Sequence, residues 1–287
     1  MNNFFENRGF WFKSITLIII TIAAAFVSVV FGTVFAAVFF GQEKLAAQHI
    51  DTILFLQGFI SLVLFTFAPL VFAKCFKEDL LIKKRPKILS ILIGLTIMVV
   101  SMPFCSFLED LNLRMQLPDF LSGLENWMRL REKEAADLTE KILSYRTSGY
   151  ICTNILIIAL IPALGEELYF RSCIQNCLFI NQAKLKALSS ILITAMIFSA
   201  IHLQFYGFLP RMFLGSLLGL MLVITKNTWV PVICHFFNNA SAILMGKDFE
   251  NTSMQELPQF LEYKSTIIIS LILTIGLFWA MKKIDKK

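Results

Sequence analysis

The feature that most constrains this chain is its repeated long apolar runs. Eight segments, 14–40, 52–73, 88–108, 149–180, 187–203, 208–225, 229–246 and 265–281, approach or exceed the ~20 apolar residues that a helix needs to cross a bilayer. Hydrocarbon offers no water to backbone N–H and C=O groups, so a spanning segment must satisfy them itself, and runs of this length do so as helices. Composition agrees: 57% of the residues are hydrophobic, 16% are charged and 29 are Phe, where soluble domains run at roughly 45–50% and about 25%. Disorder, a disulfide scaffold and an ordinary soluble enzyme are excluded. The expectation is an all-α polytopic membrane protein, a single domain over 1–287 with eight transmembrane helices. The first run is too long for a signal-peptide core and no obvious cleavage site follows it, so it reads as a retained span.

Lys and Arg in the connections set the orientation. With the N-terminus cytoplasmic, the inner connections and tails carry fifteen of them. The short outer connections carry four: Lys44, Arg211, Lys247 and Lys264. Both termini are therefore expected in the cytoplasm, in the cell membrane. The same bias accounts for the net charge of +6, so the bilayer is the expected partner and nucleic acid is not. The 109–148 connection is extramembrane on this reading. Within it Leu121, Leu124, Met128, Leu138 and Ile142 recur at helical spacing among acids and bases, which predicts an amphipathic helix over roughly 120–144 on the outer surface. It is either a solvated connector or a cap over a cavity mouth. Gly215 and Gly219 form a GxxxG, a close-packing signal. The six cysteines all lie in or beside apolar runs and read as buried thiols.

Ionisable groups inside spans are costly and mark function by default. Three polar clusters interrupt the apolar runs: Gly165-Glu166-Glu167-Leu168-Tyr169-Phe170-Arg171, then Phe198-Ser199-Ala200-Ile201-His202, then His235-Phe236-Phe237-Asn238-Asn239. Glu167 and Arg171 stand four apart, share a helix face and can pair. Glu166 points about 100° away and is free to face something else. Pro162 and Gly165 weaken the backbone ladder just before it. His235 and Asn239 also share a face, with Asn238 slightly off it. These groups suit three uses: a structural polar network, an ion-coupled transporter, or a hydrolase in which a carboxylate activates water and His or Asn donors hold the oxyanion. Glu166, His202 and His235 could alternatively bind one zinc ion.

The ordered set Glu166-Glu167-x-x-x-Arg171, Phe198-x-x-x-His202, His235-x-x-x-Asn239 resembles the motifs of the CPBP family, the CAAX prenyl proteases and bacteriocin-processing or immunity proteins also called the Abi family. The motifs span residues 166–239. The resemblance implies an intramembrane endopeptidase with its protease core at 149–246, acting on a peptide or membrane-protein substrate. It implies that Glu166 and His202 activate water and that His235 and Asn239 surround the oxyanion. Glu167, Arg171, Phe198 and Asn238 fall at supporting positions. Both a metalloprotease and a metal-free, glutamate-dependent mechanism are attached to the family. The rival is a non-catalytic immunity or membrane binding protein that keeps the cluster for structure.

Depth along the helices adds a constraint. Counted at 1.5 Å per residue from the inner connections, Glu166 and His202 lie at similar heights, roughly 22 and 24 Å, whereas His235 reaches only about 14 Å. Convergence then requires 226–231 to enter the membrane as extended chain, which Pro231 favours by disfavouring helix at Val230. Glu166, His202, His235 and Asn239 are expected to line one polar cavity in the outer half of the bilayer.

Overall fold

The computed structural model describes residues 8–245 and 263–286. The end of the seventh apolar run, Gly246, and the cation Lys247 fall outside them. The described residues contain helices and no strand. In chain order the longer ones are α1 (Phe10–Phe40), α2 (Ile50–Phe76), α3 (Ile88–Val100), α4 (Met102–Leu113), α5 (Ser122–Leu143), α6 (Ser148–Gln182), α7 (Ala187–Ala200), α8 (Phe208–Thr225), α9 (Trp229–Met245) and α10 (Tyr263–Asp285). Of these, α1, α2, α6, α8 and α10 are long and apolar enough to cross a membrane. The pair α3–α4, bent by 42°, makes a sixth candidate, and α7 and α9 are shorter apolar helices. Large side chains such as Trp11, Phe26, Phe31, Ile88, Ile272 and Trp279 are exposed. In water they would be an aggregation hazard; in lipid they are the expected surface. The protein is an integral membrane protein.

The connections gather at two ends of the bundle. At one end Lys13 Nζ meets Glu78 at 2.6 Å, Thr228 N–H bonds to Leu81 O, and Lys87 Nζ bonds to Ile284 O. At the other, Lys141 Nζ bonds to Gln48 O, Asn112 Nδ2 to Phe205 O, and Tyr206 N–H to Glu132. Helix α5 lies at this second end. Of its residues only Ile142 is buried, against Ile50 and Leu54, while Leu124, Trp127, Leu130 and Leu138 stay exposed.

Two of the helices carry wide, i→i+5 turns. In α2 these cover Leu62–Phe67 and precede Pro69; in α6 they cover Ile155–Leu160 and precede Pro162. A proline lacks the N–H for the regular ladder and crowds the preceding turn, so the widening falls where the ladder is already broken. A second wide stretch in α6 runs from Glu167 to Gln182. Such departures from regular helix are frequent at functional sites, and this one begins at the motif carboxylates.

The helix that carries the first motif, α6, meets its neighbours α2 and α8 through small residues. At Gly165, a Cβ would lie 2.8 Å from Phe65 Cβ and 3.1 Å from the Phe65 carbonyl carbon, so α6 meets α2 there at backbone distance. Gly215 and Gly219 open α8 to α6: Arg171 Nη2 donates to Gly215 O at 3.3 Å, and Gln175 Nε2 donates to Gly219 O at 2.9 Å. The GxxxG thus works inside the chain.

The chain around Pro231 differs from the sequence expectation. Lys226 to Thr228 is a turn, with Lys226 at φ 51°, and α9 begins at Trp229 with Pro231 in its first turn. Proline is tolerated there because the first N–H groups of a helix have no intrahelical partner. His235 reaches its height by another route. The 226–228 turn is itself recessed into the bundle: Asn227 and Thr228 are buried, Thr228 Oγ1 donates to Leu80 O, and it also shares a 2.8 Å hydrogen bond with Ser172 Oγ. From that contact His235 is seven residues along α9 and Glu166 six residues back along α6, so both rise by roughly 9–10 Å.

Candidate active site

A cavity of about 630 Å³ opens among α2 to α9, each of which contributes lining residues. Glu166, His202, His235, Asn238 and Asn239 line it together with Phe198. Three segments far apart in sequence therefore bring the expected residues to one place.

Glu167 and Arg171 are the sealed part of the cluster. Neither side chain has any exposed surface, and Arg171 Nε lies 3.1 Å from Glu167 Oε2. A second partner was not evident from spacing: Glu167 Oε1 takes a 2.9 Å hydrogen bond from His235 Nδ1. One buried carboxylate thus joins Arg171 of its own helix to His235 of α9. Because Nδ1 donates to Glu167, the ring presents Nε2 to Glu166, whose Oε2 is 3.8 Å away. Glu166 itself remains 13% exposed at its side chain, so it can meet solvent or a ligand while its neighbour cannot.

His202 follows the end of α7. Its Nδ1 is 2.7 Å from Phe198 O, and a carbonyl can only accept, so Nδ1 carries the proton and Nε2 is left as an acceptor. The Phe198 ring supports three groups at once. It meets His202 edge-on with centroids 5.0 Å apart and His235 at 6.1 Å, and the Arg171 guanidinium sits 4.6 Å from its centre. An aromatic ring fits because its face attracts the cation while its edge and face fix the imidazoles. Asn238 Nδ2 lies 3.4 Å from Asn239 Oδ1. That contact uses one lone pair of the Asn239 amide oxygen, and the Asn239 NH₂ group carries two donors of its own.

Several lining residues were not singled out in sequence: Gln57, Glu109, Glu132 and Arg211. Arg211 has a sequence signal, an ionisable group inside the apolar run 208–225, but so near the start of that run it reads equally as a connection charge. Helix α5 forms one wall through Glu132, Leu138, Thr139, Ile142 and Leu143. It is held over the cavity by Trp127 on Phe205 at 5.5 Å and by Arg129 over Tyr206 at 4.6 Å. Its first turn is tied back by Glu125, which accepts from Arg129 and from Leu117 N–H. The Arg129 hydrogen bond, then the one from Leu117, hold the Glu125 carboxyl below its ordinary value.

Among the described residues no group of three His, Cys, Asp or Glu side chains is arranged to hold a metal ion. The Glu166, His202, His235 set does not fit zinc as placed. The six cysteines are free thiols.

Fold and site together define a helical membrane protein with a polar, carboxylate- and histidine-lined cleft. Residues 148–241 match the family of Rce1-like type II CAAX prenyl endopeptidases, the segment that carries all three motifs. The CPBP resemblance read from the motifs stands on this match. No curated protein and no solved structure shows significant similarity to the chain.

Proposed function

We propose that the protein is an intramembrane endopeptidase of the CAAX-protease type, hydrolysing a peptide bond with one activated water and no covalent intermediate. The observation that carries this is the meeting of Glu166, His202, His235 and Asn239 in one cavity, with Glu166 open to it and Glu167 sealed behind. Glu166 is the general base. His202 Nε2 is the second acceptor for the same water. As the water attacks, the carbonyl oxygen takes up negative charge. Asn239 Nδ2 donates to it, beside the His235 ring that Glu167 orients through Nδ1. The proton held on Glu166 then passes to the leaving amine. Arg171 holds Glu167, Phe198 holds the two histidines, and Asn238 orients Asn239.

The substrate is a peptide or membrane-protein segment. A prenylated C-terminal CAAX peptide is the first one to test, because the matched family is described by that activity. The chain crosses the membrane eight times with both termini cytoplasmic. The test uses purified protein in lipid nanodiscs and a fluorescent S-farnesylated CAAX peptide, with products identified by mass. Cleavage by the intact protein and none by Glu166→Gln supports the reading. Equal cleavage by both overturns the role of Glu166.

A further inference from the structure

We propose that Arg211 is a specificity-determining residue that receives a carboxylate of the peptide substrate; this deepens, and rests on, the endopeptidase reading. Arg211 lies in the first turn of α8 and lines the same cavity as Glu166, His202 and His235. It is the one Lys or Arg among the residues that line it. Its guanidinium is held in place rather than loose. Nη1 donates to Gln204 O at 3.2 Å and Nη2 to Gln204 Oε1 at 2.7 Å. Gly207 clears the space beside it, since a Cβ there would lie 3.1 Å from Nη2.

Both of these partners are neutral. A guanidinium has five N–H donors in a rigid fork, so three remain after Gln204 is served. Among the described residues no carboxylate lies within ion-pair distance of Arg211. Arg171, by contrast, is consumed by Glu167. The other ionisable residues of the wall are three acids, Glu109, Glu132 and Glu166, and the two histidines of the candidate site, His202 and His235. Glu132 is engaged by Tyr206 N–H, and it and Glu166 act on Arg211 at longer range. Arg211 is therefore the one permanent cation of the wall that an incoming carboxylate can meet. Leu214 and Leu218 continue the same face of α8 inward from Arg211. An apolar wall leading from a cation suits a peptide whose apolar side chains lie between the cut and a carboxylate. That carboxylate is either the C-terminal α-carboxylate or an acidic side chain near it.

The test compares three fluorescent S-farnesylated peptides on the full chain in nanodiscs. One ends Cys-Val-Ile-Ala as the free acid, the second is its C-terminal amide, and the third is the amide with Glu in the last position. Binding and cleavage are read separately, with Arg211→Gln and Arg211→Lys beside the intact protein. A charge-assisted, fork-shaped contact predicts that the intact protein binds the acid about 10- to 100-fold tighter than the amide. Arg211→Gln should bind the acid as weakly as the amide and leave the amide unchanged, and Arg211→Lys should fall between. Recovery with the Glu amide assigns the site to any nearby carboxylate; no recovery assigns it to the α-carboxylate. An intact protein that binds acid and amide alike, or binds neither, overturns the proposal without needing either variant to fold. So does discrimination that survives in Arg211→Gln. Discrimination without cleavage sinks the endopeptidase reading and leaves the anchor standing, whereas cleavage without discrimination does the reverse.

Discussion

At the scale of single residues, the cluster divides by exposure: Glu167 and Arg171 are sealed, while Glu166 and His235 keep some open surface. Glu166→Gln keeps the size and some hydrogen bonding of the side chain but removes the base. General-base catalysis contributes about 10²–10⁴-fold, so kcat should fall by that much while the thermal transition of the purified protein stays in place. Arg171→Ala should behave differently. It leaves Glu167, which has no exposed surface, without its cation, and breaking a buried pair costs about 3–5 kcal/mol. The expected result is low protein yield and a lowered transition, not a stable inactive enzyme; a well-expressed, fully active variant would show that the pair is dispensable. Exhaustive chelation should leave cleavage unchanged, because the donors are not grouped around a common ion position. Loss of cleavage that added zinc restores would reverse that conclusion. The sequence made Glu166, His202, His235 and Asn239 legible because each breaks an apolar run. It did not show that Glu167 serves His235 as well as Arg171, since a contact between α6 and α9 leaves no trace in the spacing of either.

At the scale of elements, α6 depends on close approach. The residue before Glu166 is Gly165, where a Cβ would come within 3.0 Å of Phe65 Cβ and of Thr66 Oγ1. Those atoms sit on or next to the backbone of α2 and cannot swing away. Gly165→Ala should push α6 off α2, costing about 1–3 kcal/mol as overpacking does, and should lower cleavage because Glu166 moves with the helix. Gly276→Ala is the matched control. It lies inside α10 with nothing within 4 Å of the added Cβ, so it should be neutral or gain up to about 1 kcal/mol from helix propensity. Equal destabilisation by the two would mean that helix propensity, and not contact, governs both. The apolar runs located the helices well, but the path into α9 was misread. Pro231 does not by itself distinguish extended chain from a first helical turn, where proline is equally at home. What the sequence does not display is the recessed seat of Asn227 and Thr228 under Leu80 and Lys84, made by residues more than a hundred positions away.

At the scale of the whole molecule, the number of crossings turns on α7 and α9, both shorter than the ~20 residues of a free-standing span. Helices enclosed by neighbours need not match the bilayer individually, because their end groups are met by protein. Trp229 N–H at the start of α9, which donates to Asn227 Oδ1, and Phe198 O near the end of α7, which meets His202 Nδ1, show this. The hydrogen bonds between connections supply the alternation. Lys13, Glu78, Lys87, Thr228 and Ile284 belong to one end of the bundle, and Gln48, Asn112, Glu132, Lys141 and Tyr206 to the other. If every apolar helix crosses, with α3–α4 counted as one, the crossings number eight and the tails share a side. Single cysteines placed in a cysteine-free background at Lys84 and Lys286 should then react with an impermeant thiol reagent only after cells are opened. Cysteines at Lys44 and Ala136 should react in intact cells. Lys84 and Ala136 behaving alike would remove a crossing between them and overturn the eight-span layout. The opposite labelling of both pairs would keep the layout and turn the molecule over, so that the cavity side walled by α5 faces the cytoplasm. Cytosolic prenylated peptides would then have direct access to Glu166, whereas the expected orientation favours exported or membrane-embedded ones, so the same four positions also indicate on which side to look for the substrate.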